Sequence, residues 1–206
     1  MTVTLFVEGG TRGSNQHSQL RKSFVTLLGR AGLTSVNVFI CGSGSLVITT
    51  FCKAPNDVRG NAIMLVDAEG PATGDAWACL QKRHGDHWKK PAGVLDDQLH
   101  LMVELMESWL HADRVALAQY FGAGFDASRL HGSERRIEEI AKQDVLSGLA
   151  RAAKNSTKPY DKERKKAHSA ELLGRIDPNK LKQSAPRFAA LLKAIEDRID
   201  SNTKRK

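Results

Sequence analysis

Cysteine is scarce in this sequence, and long hydrophobic runs are missing. The three cysteines, Cys41, Cys52 and Cys79, are an odd number without CxxC spacing, which argues against a disulfide framework or a zinc site and indicates reduced, buried thiols. No apolar run approaches the roughly 18 residues of a membrane span. The first ten residues lack the basic start and apolar core of a signal peptide. We therefore expect a cytoplasmic protein with no membrane partner.

Charge is unevenly distributed along the chain. The 206 residues are 41% hydrophobic and 26% charged, a globular composition that excludes wholesale disorder. Residues 151–206 carry sixteen Lys and Arg against seven Asp and Glu, a net charge of +9, whereas residues 1–150 have a net charge of −1. Such a basic segment predicts contact with a polyanion, of which nucleic acid is the commonest. A solvated helical surface is the alternative interpretation.

Three short apolar segments predict a parallel sheet. Residues 3–7 (VTLFV), 36–41 (VNVFIC) and 62–66 (AIMLV) show almost no polar alternation, which is typical of strands covered on both faces by helices. The spacing of leucines and Phe24 predicts a helix over residues 18–30. Residues 45–54 favour a strand by propensity, but a parallel connection needs a crossover, so we predict a helix there.

The rest of the chain is predicted to be mainly helical. Residues 70–95, rich in glycine and proline, are interpreted as largely loop, and residues 96–112 as one long helix. Further helices are predicted over 134–153 and 184–200, with a basic loop over 154–168. We expect an α/β domain over residues 1–125, followed by a helical basic extension over residues 126–206.

Three acidic residues stand at or just beyond predicted strand ends: Glu8, Asp67 and Glu69. The carboxyl ends of parallel strands form the crevice in which open α/β sheets bind ligands. If the first and third strands are neighbours, all three carboxylates converge there. A carboxylate cluster without histidine suits Mg²⁺ or Mn²⁺. Turn or helix capping by each acid is the alternative.

These motifs resemble known families. Residues 7–11 (VEGGT) resemble the first motif of Toprim domains, and residues 65–69 (LVDAE) resemble their later Asp-x-Asp motif, with Glu69 in the second acidic place. Residues 106–113 (MESWLHAD) are similar to the Glu-Ala-Trp-Phe-Leu-Ala-Asp signature of the Toprim-like bacterial family known as domain of unknown function 4276. Residues 140–146 and two stretches between 158 and 178 also resemble that family.

The resemblance implies a Toprim-like, Rossmann-like fold and a nuclease in a phage-defence or mobile-element setting. It implies that Glu8, Asp67 and Glu69 act in Mg²⁺- or Mn²⁺-dependent phosphodiester hydrolysis, and that an ATPase is a partner protein. Glu107, within the signature, is expected to be a supporting metal ligand. On the predicted long helix it belongs to a polar stripe that solvation alone also explains: His100, Glu104, Glu107 and His111.

Two segments are candidates for contacts with phosphate. The basic loop places an aromatic ring among cations, a combination that binds nucleic-acid backbone and stacks on bases; its residues are Lys158, Tyr160, Lys162, Arg164, Lys165 and Lys166. A glycine-rich turn opens the second predicted helix, and its backbone N–H groups are a weak candidate for binding phosphate, with a simple tight turn as the favoured interpretation; its residues are Gly42, Ser43, Gly44 and Ser45.

One departure from the Toprim pattern keeps a second hypothesis open. Nuclease-type Toprim proteins commonly carry another acid soon after the first glutamate and glycine. Here Arg12 follows, and no acid occurs before Val25. The alternative to a nuclease is therefore a catalytically degenerate subunit that binds nucleic acid or an ATPase partner. Metal binding separates the two hypotheses.

Overall fold

The sheet has four parallel strands whose spatial order differs from their order in the chain. The computed structural model describes residues 2–9, 15–83, 88–161 and 164–203. The strands are β1 (Val3–Glu8), β2 (Val36–Gly42), β3 (Ala62–Asp67) and β4 (Leu99–Met102). They lie in the order β2-β1-β3-β4. All three pairings are parallel, so the prediction of a mixed α/β fold with a parallel sheet is confirmed.

Helices cover the sheet. In the described residues they are α1 (Asn15–Arg30), α2 (Gly44–Lys53), α3 (Asn56–Arg59), α4 (Ala76–Gln81), α5 (Met106–Leu110), α6 (Arg114–Phe121), α7 (Lys142–Ala152), α8 (Lys165–Leu173), α9 (Pro178–Ser184) and α10 (Pro186–Thr203). The helix predicted over 45–54 is confirmed as α2. Tertiary connectivity outweighs the strand propensity of this segment because the parallel strands on either side of it need a crossover.

Alternation along the strands divides the apolar side chains between two cores. Val3, Leu5 and Val7 of β1 pack into one core with α1 and α5 to α10. Phe6 points to the opposite face, where α2, α3 and α4 complete a second core. Because both faces of each inner strand are covered, β1 and β3 read as continuous apolar runs in the sequence. No helix in the described part of the chain is long and apolar enough to cross a membrane.

The prediction of one long helix over residues 96–112 is wrong. A short 3-10 turn (Asp96–Gln98) leads into β4, which pairs with β3 over Met64–Asp67, and the helix α5 begins only at Met106. The apolar spacing of this segment fits a helix face, but the free edge of β3 offers backbone hydrogen bonds that decide the outcome. The polar stripe therefore does not exist, because His100 lies on a strand and Glu104 in a connection.

Smaller differences concern the ends of helices. The segment predicted as loop over 70–95 contains α4, whose first turn is capped by Asp75, its Oδ1 accepting the Ala78 N–H at 2.8 Å. The helix predicted over 134–153 begins at Lys142, and the predicted basic loop ends where α8 begins at Lys165. The helix predicted over 184–200 corresponds to α10.

The three cysteines carry free thiols.

The C-terminal helices pack directly on the sheet and on α1. The helix α8 lies along α1, and α10 contacts β4. Arg30, at the end of α1, donates from Nη1 to the carbonyl oxygens that follow α8, at 3.3 Å for Gly174, 3.1 Å for Arg175 and 3.0 Å for Ile176. The side chain of Phe188 in α10 meets Trp109 of α5 edge-on, with ring centroids 4.9 Å apart. The N-terminal sheet and the C-terminal helices thus share one core.

Candidate functional site

Two carboxylates meet at the carboxyl ends of β1 and β3. Glu8 is the last residue of β1, and its Oε2 accepts the backbone N–H of Asp67 at 3.0 Å. Asp67 is the last residue of β3, and its Oδ1 accepts the N–H of Met106 at 2.8 Å. Because Met106 opens α5, this bond joins the end of the strand to the start of the helix. Backbone donors therefore fix both side chains in place.

Glu69 is placed by an unusual backbone conformation. Its φ is +61°, in the left-handed region, which costs a residue with a side chain on the order of 1–2 kcal/mol. Its N–H donates to the carbonyl oxygen of Glu104 at 2.8 Å. The Glu104 carboxylate in turn accepts the N–H of Lys142, at the start of α7, at 2.7 Å. This turn brings the Glu69 side chain back to the strand ends, within reach of the Lys142 ammonium, with which it forms an ion pair.

One pocket of about 380 Å³ is lined by all four carboxylates that sequence analysis singled out as metal ligands: Glu8, Asp67, Glu69 and Glu107. Glu107 lies on a different element from the one that its sequence pattern predicts. It is the second residue of the short helix α5 rather than part of a long helical stripe. Trp109 and Asp113, from the same signature, have structural roles. Trp109 is fully buried, and Asp113 caps α6, its Oδ1 accepting the Ala116 N–H at 3.2 Å.

The electrostatics of this pocket disfavour additional negative charge. Burial raises the pKa of Asp67 well above its ordinary value, and the neighbouring carboxylates of Glu8, Glu107 and Glu69 raise it further. Burial also raises the pKa of Glu107. A cation in the pocket would relieve the carboxylate repulsion that contributes to the raised pKa of Asp67.

A guanidinium that sequence analysis missed stands among these acids. Arg83 Nη1 donates to Glu8 Oε2 at 3.2 Å and to the carbonyl oxygen of Asp67 at 3.0 Å, and Nη2 donates to Glu8 Oε1 at 3.3 Å. Nη2 also lies 3.8 Å from Glu69 Oε1. Arg83 falls in a segment predicted to be loop, without periodicity to orient it. Only the tertiary structure identifies it as part of the site.

The donor set is suited to a hard divalent cation. All four side chains offer carboxylate oxygens, the ligands that Mg²⁺ and Mn²⁺ prefer. Among the described residues, no group of three or more histidine, cysteine or acidic side chains is arranged to hold a metal ion. Mg²⁺ is commonly bound through one or two carboxylates, with water and substrate phosphate as its other ligands. Metal binding by Glu8, Asp67, Glu69 and Glu107 therefore stays a prediction.

The glycine-rich turn before α2 lies beside Glu8. A Cβ on Gly44 would stand 2.6 Å from the Trp88 ring and 3.1 Å from Glu8 Oε2, so only glycine fits there. Gly42, with φ of +95°, accepts the N–H of Gly9 at 2.8 Å. Close packing accounts for Gly44, and the left-handed backbone conformation accounts for Gly42. Phosphate binding by Gly42, Ser43, Gly44 and Ser45 stays a prediction.

The predicted nucleic-acid loop is only partly available at the surface. The stacking role predicted for Tyr160 is wrong, because its ring is 5% exposed and its hydroxyl lies 2.9 Å from Ser169 Oγ. Burial raises the pKa of this tyrosine. The Lys158 Nζ lies 4.2 Å from the centre of the Tyr120 ring. Lys162, and also Arg12, lie outside the described residues.

Three cations at the start of α8 remain candidates. Arg164 is exposed and forms an ion pair with Asp161 at 3.6 Å. Lys165 begins the helix and is partly buried. Lys166 is exposed and lines the same pocket as the four carboxylates. Ala170 lines this pocket as well, so the first turns of α8 bring the basic segment to the acidic site.

Comparison with known families agrees with the sequence motifs. The family model described as "Domain of unknown function (DUF4276)" matches residues 7–196. No curated protein and no solved structure matches the chain.

Proposed function

Since this chain belongs to the DUF4276 family, whose description assigns no activity, we propose a function from its pocket: a Mg²⁺- or Mn²⁺-dependent, Toprim-like phosphodiesterase that cleaves DNA or RNA. The convergence of Glu8, Asp67, Glu69 and Glu107 on one pocket carries this proposal. The four acids come from three parts of the chain, and the site lies at the carboxyl edge of a parallel sheet, where such folds bind ligands.

Each acid has a distinct role in this proposal. Asp67 and Glu69 hold the metal, and Glu107 supports it from the start of α5. Glu8, fixed by the N–H of Asp67, acts either as a further metal ligand or as the base that accepts the proton of the attacking water. Bound Mg²⁺ would lower the pKa of a water molecule and stabilise negative charge on the phosphate. Lys166 at the rim pairs with a backbone phosphate of the nucleic acid.

Nuclease assays test this function directly. Purified protein is incubated with end-labelled DNA and RNA in Mg²⁺, Mn²⁺ or EDTA, beside Asp67→Asn and the surface control Asp57→Asn, an exposed residue of α3. We expect metal-dependent cleavage that falls by about a hundredfold or more in Asp67→Asn, because a carboxylate ligand is lost. The control should cleave like wild type. Cleavage that survives Asp67→Asn belongs to a contaminant and removes the proposal.

A second candidate is a non-catalytic subunit that binds nucleic acid or an ATPase partner in a cytoplasmic phage-defence system. The observation that favours it is the pairing of Glu8 with Arg83 and of Glu69 with Lys142, which balances two of the acids without a metal. Titration calorimetry separates the candidates. Micromolar Mn²⁺ binding supports the enzyme, and the absence of Mg²⁺ and Mn²⁺ binding supports the subunit.

A further inference from the structure

Arg83 is held more firmly than a surface arginine. Its side chain is 11% exposed, and its two terminal nitrogens contact both oxygens of Glu8 and the carbonyl of Asp67. The guanidinium carbon also lies 5.7 Å from the centre of the Trp88 ring, a cation–π distance. Trp88 is 4% exposed and packs against Gly44. The protein therefore builds a specific place for one positive charge.

That place coincides with the acids proposed to bind metal. The same guanidinium touches Glu8 and lies 3.8 Å from Glu69, and both residues line the carboxylate pocket. Two charges of the same sign this close in a partly buried site repel strongly. A divalent cation near Glu8 and Glu69 therefore meets a resident positive charge that already neutralises the same acids and repels it.

We propose that Arg83 is the resident counter-ion of this pocket and competes with the divalent cation for Glu8 and Glu69. This inference rests on the proposed metal site and adds its regulation. The arginine keeps the acids paired when metal is scarce and sets the metal concentration at which the site fills. Because the pair is local and fixed by Trp88, removal of the guanidinium should change metal affinity without moving the sheet.

Titration calorimetry with MnCl₂ on the full chain provides the test. Arg83→Gln removes the charge, and Lys82→Gln is the matched control, because Lys82 is the exposed neighbour of Arg83. We expect Arg83→Gln to bind Mn²⁺ about tenfold or more tightly than wild type, since a nearby positive charge is gone. Lys82→Gln should bind within about twofold of wild type, because solvent screens its charge. The thermal midpoint of Arg83→Gln should also rise more on adding Mn²⁺ than that of wild type.

A second variant distinguishes the loss of the Arg83 charge from a loss of folding. Arg83→Lys keeps one positive charge but cannot bridge both oxygens of Glu8, so its Mn²⁺ affinity should lie between those of wild type and Arg83→Gln. Circular dichroism checks that each variant is folded.

The outcomes separate this inference from the proposed function. If wild type binds Mn²⁺ and both Arg83 variants bind it with the same or a lower affinity, the counter-ion role is wrong, but the metal site stands. Binding to Arg83→Gln alone supports the counter-ion role and favours the non-catalytic subunit. If neither wild type nor the Arg83 variants bind Mn²⁺, both the competition and the proposed metal site are wrong.

Discussion

Asp67 shows how one residue meets opposing structural and chemical demands. Its position at the end of β3 lets it accept the Met106 N–H and so join β3 to α5. The same position removes it from water beside three other acids, and both effects raise its pKa well above the ordinary value. Residues whose pKa is shifted this far are typical of functional sites, where stability is given up for activity. Asp67 is therefore expected to weaken the fold while it serves the site.

Asp67→Asn should stabilise the protein. The amide oxygen can still accept the Met106 N–H, whereas the repulsion from Glu8, Glu107 and Glu69 disappears. We expect the free energy of unfolding at pH 7 without metal to rise by about 1 kcal/mol, measured by urea denaturation. Asp57→Asn on the exposed helix α3 should change it by less than about 0.5 kcal/mol. A clear loss of stability in Asp67→Asn would show that the ionised carboxylate is favoured by its surroundings.

At the scale of elements, β4 illustrates how a buried polar side chain directs a segment. Gln98, at the end of the turn before β4, is 4% exposed. Its Nε2 donates to the carbonyl oxygens of Arg59 at 2.8 Å and Ala62 at 3.1 Å, and its Oε1 accepts the Leu95 N–H at 3.1 Å. These bonds tie the entrance of β4 to the start of β3. A helix over the same residues would leave those backbone groups unpaired.

Gln98→Leu should destabilise the protein because the buried Ala62 carbonyl and the partly buried Arg59 carbonyl and Leu95 N–H lose this partner. The expected loss in the free energy of unfolding is about 2–3 kcal/mol, measured by urea denaturation at pH 7. Gln119→Leu, at an exposed position of α6, is the matched control and should change stability by less than about 0.5 kcal/mol. An equal effect of the two substitutions would mean that Gln98 does not fasten β4.

At the scale of the whole molecule, two histidines make the fold sensitive to acid. His100 lies on β4, and His111 follows α5 as its C-cap residue, so they belong to different parts of the fold. Burial is the main cause that lowers the pKa of each imidazole to about 4. The unfolded chain has an ordinary histidine pKa near 6.5. Unfolding therefore takes up protons as soon as the pH drops below that value.

The sign of this linkage gives a direct prediction. Each neutral histidine's contribution to the free energy of unfolding is fully present above about pH 6.5 and is lost as the pH falls from there towards 4. Between pH 7 and pH 5 we expect each to lower the free energy of unfolding by about 2 kcal/mol. Urea denaturation at pH 7 and at pH 5 measures the difference in the free energy of unfolding. In His111→Leu this difference should be smaller by about 2 kcal/mol. An unchanged difference in that variant would show that His111 takes up no proton on unfolding.

The fold class was largely determined by the sequence itself. The apolar runs that became β1, β2 and β3 could be predicted because strands buried on both faces carry no polar alternation. The helix α2 could be predicted because parallel strands need a crossover. The strand β4 could not. Residues 99–106 carry apolar spacing that suits a helix face, and only the unpaired edge of β3 decides between the two.

The site divides in the same way. Glu8 and Asp67 could be placed together from the sequence because each follows a strand of one parallel sheet. Arg83 and Lys142 lie in segments whose local pattern contains no trace of the acids they pair with. Tyr160 looked available among its cations, and packing buried it. Local periodicity thus determined which strands carry the acids, whereas long-range packing alone decided which charges neutralise them, because ion pairing depends on distance in space rather than along the chain.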